Sequence, residues 1–422
     1  MPQWRRTLYT VWLTQFIAVA GFSFVMPFVP YYIQELGVSD IKEAGLWAAL
    51  VTSAQAISMA LIAPVWGALA DRYGRKMMVL RASFAGALVM SLMGFVTSVQ
   101  QLVVLRFIQG LFTGTVPATT TLVASAVPRD RCGMALGSLQ TAIFLGVSLG
   151  PLLGGLFGDA FGYRASFWIT AALLFFSGVL VAIFVHEDFR PAQESRAGSG
   201  RSYRQALALV LASASLLAVF ASRILLRVGS RSLDPILPLF VQTLLPAGAQ
   251  VGATTGIIAG VSSLGAAIGS PLIGSLSDRL GRRRLLIASA IAAGLLFLPQ
   301  AFVHEPRALI VWQFCTGFAV GGTLSTLTAL LAQLTPAGHE GVVFGLDSSA
   351  VAGANALGPI MGAAVAAQMG LRAPFVLATL MFGVGTLAVV LWVREQRPGS
   401  PSQEVMALPV GASAPHPATT RR

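Results

Sequence analysis

The sequence predicts an all-α polytopic membrane protein whose twelve transmembrane helices form two parallel six-helix repeats. Of its 422 residues, 55% are hydrophobic and only 10% are charged, whereas soluble domains average roughly 45–50% apolar and about 25% charged residues. Twelve apolar runs have the length of about 20 residues or more that a helix needs to cross a bilayer core of about 30 Å. Short phrases in the first half of the chain also recur about 207 residues later.

The predicted spans are apolar runs bounded by charged residues, glycine or proline. A transmembrane β-barrel would instead need alternating segments of about ten residues, which the sequence lacks. In chain order the twelve spans cover residues 7–33, 44–70, 77–97, 101–127, 133–158, 165–186, 207–242, 252–277, 285–303, 309–334, 341–367 and 373–394.

Positive charge is distributed unevenly over the predicted loops. With the N-terminus inside, the cytoplasmic segments carry 19 Lys and Arg residues and the outer loops carry four. The positive-inside rule then places both the N- and the C-terminus in the cytoplasm. The net charge of +12 therefore reflects topology and contact with the anionic lipid bilayer, and we expect no nucleic-acid partner.

The recurring phrases share one register. "GALADRYGRK" (67–76) matches "GSLSDRLGRR" (274–283), and four further pairs follow at offsets of 207 or 208: "MPFVPYYIQEL" with "DPILPLFVQTL", "RFIQG" with "QFCTG", "LGPLLGG" with "LGPIMGA", and "GYRASF" with "GLRAPF". An offset that varies by only one residue indicates duplication of a six-helix half, and an even number of helices gives both halves the same orientation. Transporters built from such repeats hold their substrate between the halves near the membrane midplane.

The repeat also divides the chain into regions. We assign residues 1–186 to an N-terminal six-helix bundle and residues 207–394 to a C-terminal six-helix bundle. The polar stretch 187–206, with its Gly, Pro and Ser residues, is predicted to be a cytoplasmic linker. The tail 395–422 is rich in Pro, Ala and Ser and is expected to be disordered.

The repeated phrase resembles the G-x-x-x-D-R-x-G-R-[RK] signature of the major facilitator superfamily, and the resemblance covers nearly all of residues 5–395. It implies the major facilitator fold. It also implies that the charged loops form a cytoplasmic latch for the state closed to the cytoplasm; the alternative is that their arginines only fix topology. The candidate latch residues are Gly67, Asp71, Arg72, Gly74, Arg75, Asp278, Arg279, Gly281, Arg282 and, near the cytoplasmic end of the eleventh span, Asp347.

"GVSLGPLLGG" (146–155) resembles a signature associated with the antiporters of this superfamily, which favours an exporter. Gly146, Gly150 and Gly154 recur every four residues and so form one flat face for close helix approach. Pro151 adds a bend, and Gly155 completes the motif. We expect the stripe to act by tight packing at the interface of the halves, although ordinary small-residue packing is an alternative.

"LRFIQG" (105–110) resembles a superfamily motif with an intramembrane arginine, Arg106. A charge at this depth costs roughly 2.5–3.5 kcal/mol on insertion scales, and such a residue is by default a candidate for function. In relatives it is implicated in proton coupling; a structural bond to backbone carbonyls is the alternative. Gln55 and Asn355 are further polar residues deep in the predicted spans.

The seventh span contains four charged residues, Arg223, Arg227, Arg231 and Asp234. At about 100° per residue their side chains fall within a quarter-turn of the helix. Three lipid-facing arginines would cost on the order of 8–10 kcal/mol, so this face is predicted to line the cavity. Asp234 precedes Pro235, where we expect the helix to break. It is the candidate proton carrier, and an internal Arg/Asp pair that only pins the helix is the alternative.

These features predict a proton-coupled antiporter that exports small amphipathic compounds, drugs included; export of one metabolite, such as a sugar, amino acid or siderophore, is the alternative. The basic seventh span suggests anionic or zwitterionic substrates. No acidic residue lies between Arg6 and Glu35, where many multidrug members of the superfamily place one.

Other classes lack the residues that they require. The four histidines lie at helix ends, in loops or in the tail, so we expect no enzymatic site, metal or cofactor. No phosphate-binding loop of the G-x-x-x-x-G-K-[ST] type occurs, which leaves the proton gradient as the expected energy source. We expect a monomer in the plasma (inner) membrane.

Overall fold

The computed structural model describes residues 2–128, 131–187, 213–246, 248–336 and 339–393. All regular elements in these ranges are helical. The predicted linker 187–206, except for its first residue, and the predicted tail 395–422 lie outside the described residues.

The first half of the chain forms eight α-helices. A 3₁₀ turn, Met26–Phe28, separates the first two. In order the helices are α1 (Gln3–Val25), α2 (Val29–Glu35), α3 (Ile41–Tyr73), α4 (Arg75–Met93), α5 (Val99–Phe112), α6 (Thr115–Ala126), α7 (Cys132–Phe161) and α8 (Tyr163–Phe184).

The second half repeats this order with one difference, since the counterpart of α5 and α6 is a single helix. A 3₁₀ turn, Pro299–Phe302, follows α12. The helices are α9 (Ala214–Arg231), α10 (Ile236–Leu244), α11 (Val251–Leu280), α12 (Arg282–Phe297), α13 (Pro306–Leu334), α14 (Glu340–Met369) and α15 (Ala373–Trp392).

Eleven helical segments in the described ranges are long and apolar enough to cross a membrane. The all-helical membrane fold predicted from composition is therefore confirmed. The predicted seventh span is not among the eleven, because α9 has 18 residues and contains three arginines. Twelve spans with both termini in the cytoplasm stay a prediction.

Proline accounts for two of the helix interruptions. The predicted break beside Pro235 is present, since α9 ends at Arg231 and α10 begins at Ile236. The interruption between α5 and α6 was not predicted. Pro117 has no N–H to donate to the Thr113 carbonyl and its ring opposes a helical conformation there, and Gly114 takes a φ of 131°. The residue that corresponds to Gly114 in the repeat, Gly321, lies within the continuous α13.

The two halves meet along two helix pairs. Helix α7 packs on α11, and α3 packs on α14. The main hydrophobic core of the second half lies within that half, and that of the first half also includes Leu239 of α10. A small cluster of Ala49, Ile236, Ala363 and Ala366 also joins the halves. We call the end of the bundle near the N-terminus, which includes the α3–α4 and α11–α12 turns, the proximal end. The opposite end is the distal end.

Candidate functional site

The halves are closed at the distal end and separate toward the proximal end. In α3, Ala44 and Ala48 near the distal end are at most 1% exposed, whereas none of the side chains described in residues 59–73, nearer the proximal end, is buried. On α14, Ala366 near the distal end packs in one cluster with Ala49 of α3, whereas Ser348 near the proximal end is exposed. The contact between α3 and α14 therefore ends near the middle of the bundle.

Hydrogen bonds between the halves reinforce the distal closure. The Tyr31 hydroxyl donates to the carbonyl of Pro238 at 2.6 Å and lies 2.8 Å from the Thr255 hydroxyl. The side-chain amides of Gln34 and Gln242 bond to each other at 3.1 and 3.3 Å. Gln34 and Gln242 match in the sequence repeat, so these equivalent residues meet across the two halves.

Asp159, at the distal end of α7, caps a helix of the opposite half. Its carboxylate oxygens accept the backbone N–H of Gly252 at 2.9 Å and of Ala253 at 2.7 Å. The Tyr163 hydroxyl donates to the same carboxylate at 2.9 Å. A carboxylate satisfies unpaired N–H groups at a helix N-terminus and interacts favourably with the helix dipole. Asp159 therefore stabilises the closed distal end.

The glycine stripe of α7 lies elsewhere than expected. Gly146, Gly150 and Gly154 pack on the backbone of α1 in the same half, with no room for a Cβ atom. The expectation that the stripe packs between the halves is thus wrong for these three glycines. Gly155 and the Pro151 carbonyl do contact α11 of the opposite half, so the two remaining motif residues lie at the interface.

Arg106, on α5, is fully buried, at 0% exposure. Its Nη1 donates to the Oε1 atoms of Gln109 at 2.9 Å and Gln55 at 3.3 Å, and lies 3.8 Å from the Met26 sulfur. Its Nε and Nη2 have no hydrogen-bond partner in the described part of the chain. The structure thus brings Arg106 and Gln55 together, beside the 3₁₀ turn that interrupts the first span.

Arg223 forms the most buried ion pair among the described residues. Its Nε lies 2.7 Å from a carboxylate oxygen of Asp347 on α14, with side-chain exposures of 15% and 6%. Its Nη1 donates to the Thr328 hydroxyl at 2.9 Å. Asp347 was assigned to the latch from sequence; the structure gives it a partner on α9 instead.

Asn355 joins the next two arginines of α9. Its side-chain oxygen accepts from Arg227 at 2.9 Å and from Arg231 at 3.3 Å. Arg231 also pairs with Asp234 at 2.8 Å, with about two-fifths of each side chain exposed. The predicted charged face therefore exists as two neighbouring bonded groups, Arg223 with Asp347, and Arg227, Asn355 and Arg231 with Asp234, which we call the charged network.

This network has three arginines and two carboxylates. Arg223 and Arg231 each contact a carboxylate, whereas Arg227 donates to the neutral Asn355. Asp234 also lines a cavity of about 260 Å³ in the second half, together with Ser263, Gln313 and other residues of α11 and α13. The arrangement offers excess positive charge and a partly exposed carboxylate at one place.

The two repeated charged phrases form the turns that connect α3 to α4 and α11 to α12. Gly74 and Gly281 sit at these turns with φ of 90° and 97°, which residues with side chains rarely adopt. In the second turn Arg282 donates to Asp278 at 2.9 and 3.2 Å and to a backbone carbonyl of α13. The side chain of Asp71 lies outside the described part of the structure.

The remaining predicted latch positions lie on the same two turns. In the described chain the Arg72 guanidinium lies 5.4 Å from the Tyr73 ring centroid, and the space where a Cβ of Gly67 would lie is open. Arg75 begins α4, and Arg279 lies in the last turn of α11. All these positions are at the proximal end.

Sequence reasoning missed Glu187, which it assigned only to the beginning of the linker. Its carboxylate accepts the backbone N–H of Arg75 at 3.0 Å and of Lys76 at 2.7 Å. It thereby caps α4 immediately after the charged turn. The acidic pair Glu187 and Asp188 just after the sixth span was the only signal available.

Comparison with known families gives one match, which spans nearly the whole chain. The model of the Major Facilitator Superfamily matches residues 11–245 and 211–413. The multidrug resistance protein MdtG of Salmonella dublin is 37% identical over 372 residues, 88% of this chain and 91% of that protein. The protein of the same name from Serratia proteamaculans is 36% identical over 395 residues, 94% of this chain and 95% of its own length.

Solved structures share the fold at much lower identity. The nucleoside transporter NupG aligns with a TM-score of 0.76 at 14% identity, over 92% of this chain and all of that one. A bacterial homologue of the human lysosomal transporter Spinster, in an inward-facing and unoccupied conformation, aligns with a TM-score of 0.74 at 15% identity, over 94% of this chain and all of that one.

Proposed function

Because the chain belongs to the major facilitator superfamily, we propose that it is a proton-coupled antiporter that exports small amphipathic compounds, drugs included, by alternating access. It is a multi-pass protein of the inner membrane. The relatives named multidrug resistance proteins, at 36–37% identity over most of the chain, support drugs as the substrate class.

The observation that carries the proposal is the position of the charged network. It joins α9 to α14 within the second half, while the hydrogen bonds that Tyr31, Gln34, Ser53 and Asp159 make with the second half lie in the distal half of the bundle. A substrate entering from the proximal end could then reach the network. In this proposal the proximal end faces the cytoplasm, in line with the positive-inside count.

Asp234 is our candidate for the proton carrier. Its partner Arg231 lies three residues away and both side chains are about two-fifths exposed, so water and a substrate can reach the pair. A donor group of the substrate could bind the ionised Asp234 carboxylate, and protonation of the carboxylate would remove that acceptor and release the substrate. Because proton and substrate would then occupy Asp234 in turn, their movements would be exchanged, as antiport requires.

Arg106 is the second candidate for coupling. A buried guanidinium with two unpaired donors is costly inside a membrane, which favours a role that requires it. Gln55 and Gln109 hold it in place without neutralising its charge. We propose that Arg106 adds to the positive potential that draws anionic or zwitterionic substrates.

The proposal is tested by a susceptibility screen of cells that overexpress the protein. We expect raised resistance to several unrelated compounds, which is lost when the proton gradient is collapsed and in the Asp234→Asn variant at equal membrane abundance. Resistance to none of a broad panel, with efflux of a single metabolite, would favour the metabolite exporter instead.

The charge preference is tested separately with dyes. We expect vesicles that contain the protein to transport anionic dyes at least as well as cationic dyes of similar size. A strict preference for cationic dyes would refute the role assigned to the arginines of α9.

A further inference from the structure

A side cavity of about 190 Å³ lies near the proximal end of the first half, away from the charged network. It is bounded by α3, α4 and the interrupted pair α5 and α6. Most of its wall is apolar, formed by Met59, Ile62, Ala63, Met78, Pro117 and Ala118. A drug-sized ligand needs roughly 300–1,000 Å³, so this cavity encloses only part of such a molecule.

Arg81 and Trp66 form the polar end of the cavity. The central carbon of the Arg81 guanidinium lies 3.5 Å from the centroid of the Trp66 ring, within the range of a cation–π contact. The indole N–H of Trp66 donates to the Leu111 carbonyl at 2.6 Å, in the last turn of α5 before the interruption. The hydrogen bond thus fixes the Trp66 ring, and the Arg81 guanidinium lies over the face of this ring at the cavity wall.

Several donors at this end have no acceptor. In the described chain the buried Nε and Nη1 atoms of Arg81 lack a hydrogen-bond partner, as does the Oγ1 atom of Thr113. A Cβ on Gly114, at the interruption, would lie 3.9 Å from Arg81 Nη2. The ion pairs found in the described residues do not include Arg81. A cation with free donors therefore lies inside a largely apolar cavity.

The second half of the chain does not repeat this arrangement. In the register of the repeat, Ala288 stands at the position of Arg81 and Ile273 at that of Trp66. Leu324 replaces Pro117, and α13 is continuous where α5 and α6 are separate. The fold is thus built once without the arginine, the tryptophan or the interruption, so they are not requirements of the scaffold.

We propose that this cavity binds the anionic head of an amphiphile, a carboxylate or a phosphate, with the first carbons of its chain between the apolar walls. The head accepts hydrogen bonds from the guanidinium of Arg81 and the hydroxyl of Thr113, as charged acceptors do for arginine. An uncharged or cationic head leaves these donors unpaired and is rejected. The ligand is either a phospholipid of the bilayer or a free single-chain amphiphile.

The test counts bound molecules on the purified full-length protein in a non-ionic detergent by native mass spectrometry. The probes are dodecyl phosphate, phosphatidylglycerol and, as the uncharged comparison, diacylglycerol, which lacks the phosphate. We expect the wild type to bind one anionic molecule about tenfold more tightly than Arg81→Gln does, since charge-assisted hydrogen bonds are lost. Diacylglycerol should bind both proteins equally weakly.

Three further variants separate recognition from folding. Thr113→Val keeps the side-chain shape and removes the hydroxyl, and we expect it to weaken anion binding about threefold. Arg81→Lys keeps the charge and should retain part of the binding. It replaces Arg81→Gln as the test variant if Arg81→Gln fails to fold. Arg283→Gln is the matched control, because it also removes one positive charge. The Arg283 guanidinium donates to the Val390 carbonyl, and the Arg283→Gln variant should bind the probes as tightly as the wild type does.

The two anionic probes also identify the source of the ligand. Binding of phosphatidylglycerol that depends on Arg81 supports a lipid site, and such binding of dodecyl phosphate alone supports a site for free amphiphiles. Equal affinity of wild type, Arg81→Lys and Thr113→Val for both anionic probes would overturn the proposal. Transport is not measured, so this result is independent of the proposed export activity.

Discussion

Removal of the Asp159 carboxylate is expected to open the distal end of the bundle. In the closed state this carboxylate accepts two backbone N–H groups at the beginning of α11, at 2.9 and 2.7 Å. When the halves separate at this end, the carboxylate and both N–H groups pass to water. The variant Asp159→Ala therefore removes an interaction that exists in only one of the two states.

The size of the effect follows from the two contacts. A helix N-cap contributes about 0.5–2 kcal/mol, and hydrogen bonds to a charged group contribute about 1.5–3 kcal/mol. Because both describe the same atoms, we expect a shift of roughly 1.5–3 kcal/mol toward the distally open state, which is about 10- to 150-fold in the equilibrium between the states.

The assay is a distance measurement between spin labels on the two halves. Cysteines replace the exposed residues Ser39 and Met369, near the distal end, in a background without Cys132 and Cys315. We expect Asp159→Ala to increase the ratio of the long-distance to the short-distance population by the factor given above.

The matched control is Asp40→Ala. Asp40 caps α3 at the same end, but it accepts from Lys42 and Glu43 of its own half. Its loss should lower thermal stability and leave the distance distribution unchanged. Unchanged distances in Asp159→Ala, or an equal shift in both variants, would refute the assignment of Asp159 to the distal closure.

Three other substitutions have defined outcomes. Asp234→Asn should abolish proton-coupled export without lowering membrane abundance; unchanged drug accumulation in cells would remove Asp234 from the mechanism. Asp71→Asn should slow turnover more than it weakens substrate binding in vesicle kinetics, and the opposite result would count against a latch. Arg223→Met leaves Asp347 buried and unpaired and should destabilise the protein by about 3–5 kcal/mol. The double variant with Asp347→Leu should recover most of that loss in thermal unfolding, and no recovery would contradict a direct pair.

The repeat in the sequence predicted more of the architecture than composition alone. Because the two halves carry equivalent residues in one register, Gln34 and Gln242 could be matched before the structure placed them together. The charged face of α9 was predictable for a different reason, since helical periodicity and the cost of lipid-facing arginines leave few alternatives. Neither argument needed knowledge of the partner helices.

The partners themselves could not be predicted. Asp347 lies 124 residues from Arg223 in the sequence, and nothing local links them. The role of Asp159 depends on the beginning of α11, 93 residues away. The glycine stripe shows the same limit, because the spacing predicts a flat face but does not say which helix covers it. Pro117 was visible, yet its effect on helix continuity depended on Gly114.

The central claim, proton-coupled export, is tested most directly in proteoliposomes that contain only this protein. Substrate uptake and internal pH are recorded together after a pH gradient is imposed. The account predicts that the gradient drives substrate against its concentration, that adding substrate accelerates proton movement, and that Asp234→Asn loses both effects. Substrate transport that proceeds at the same rate without a gradient, or without substrate-dependent proton movement, would contradict it.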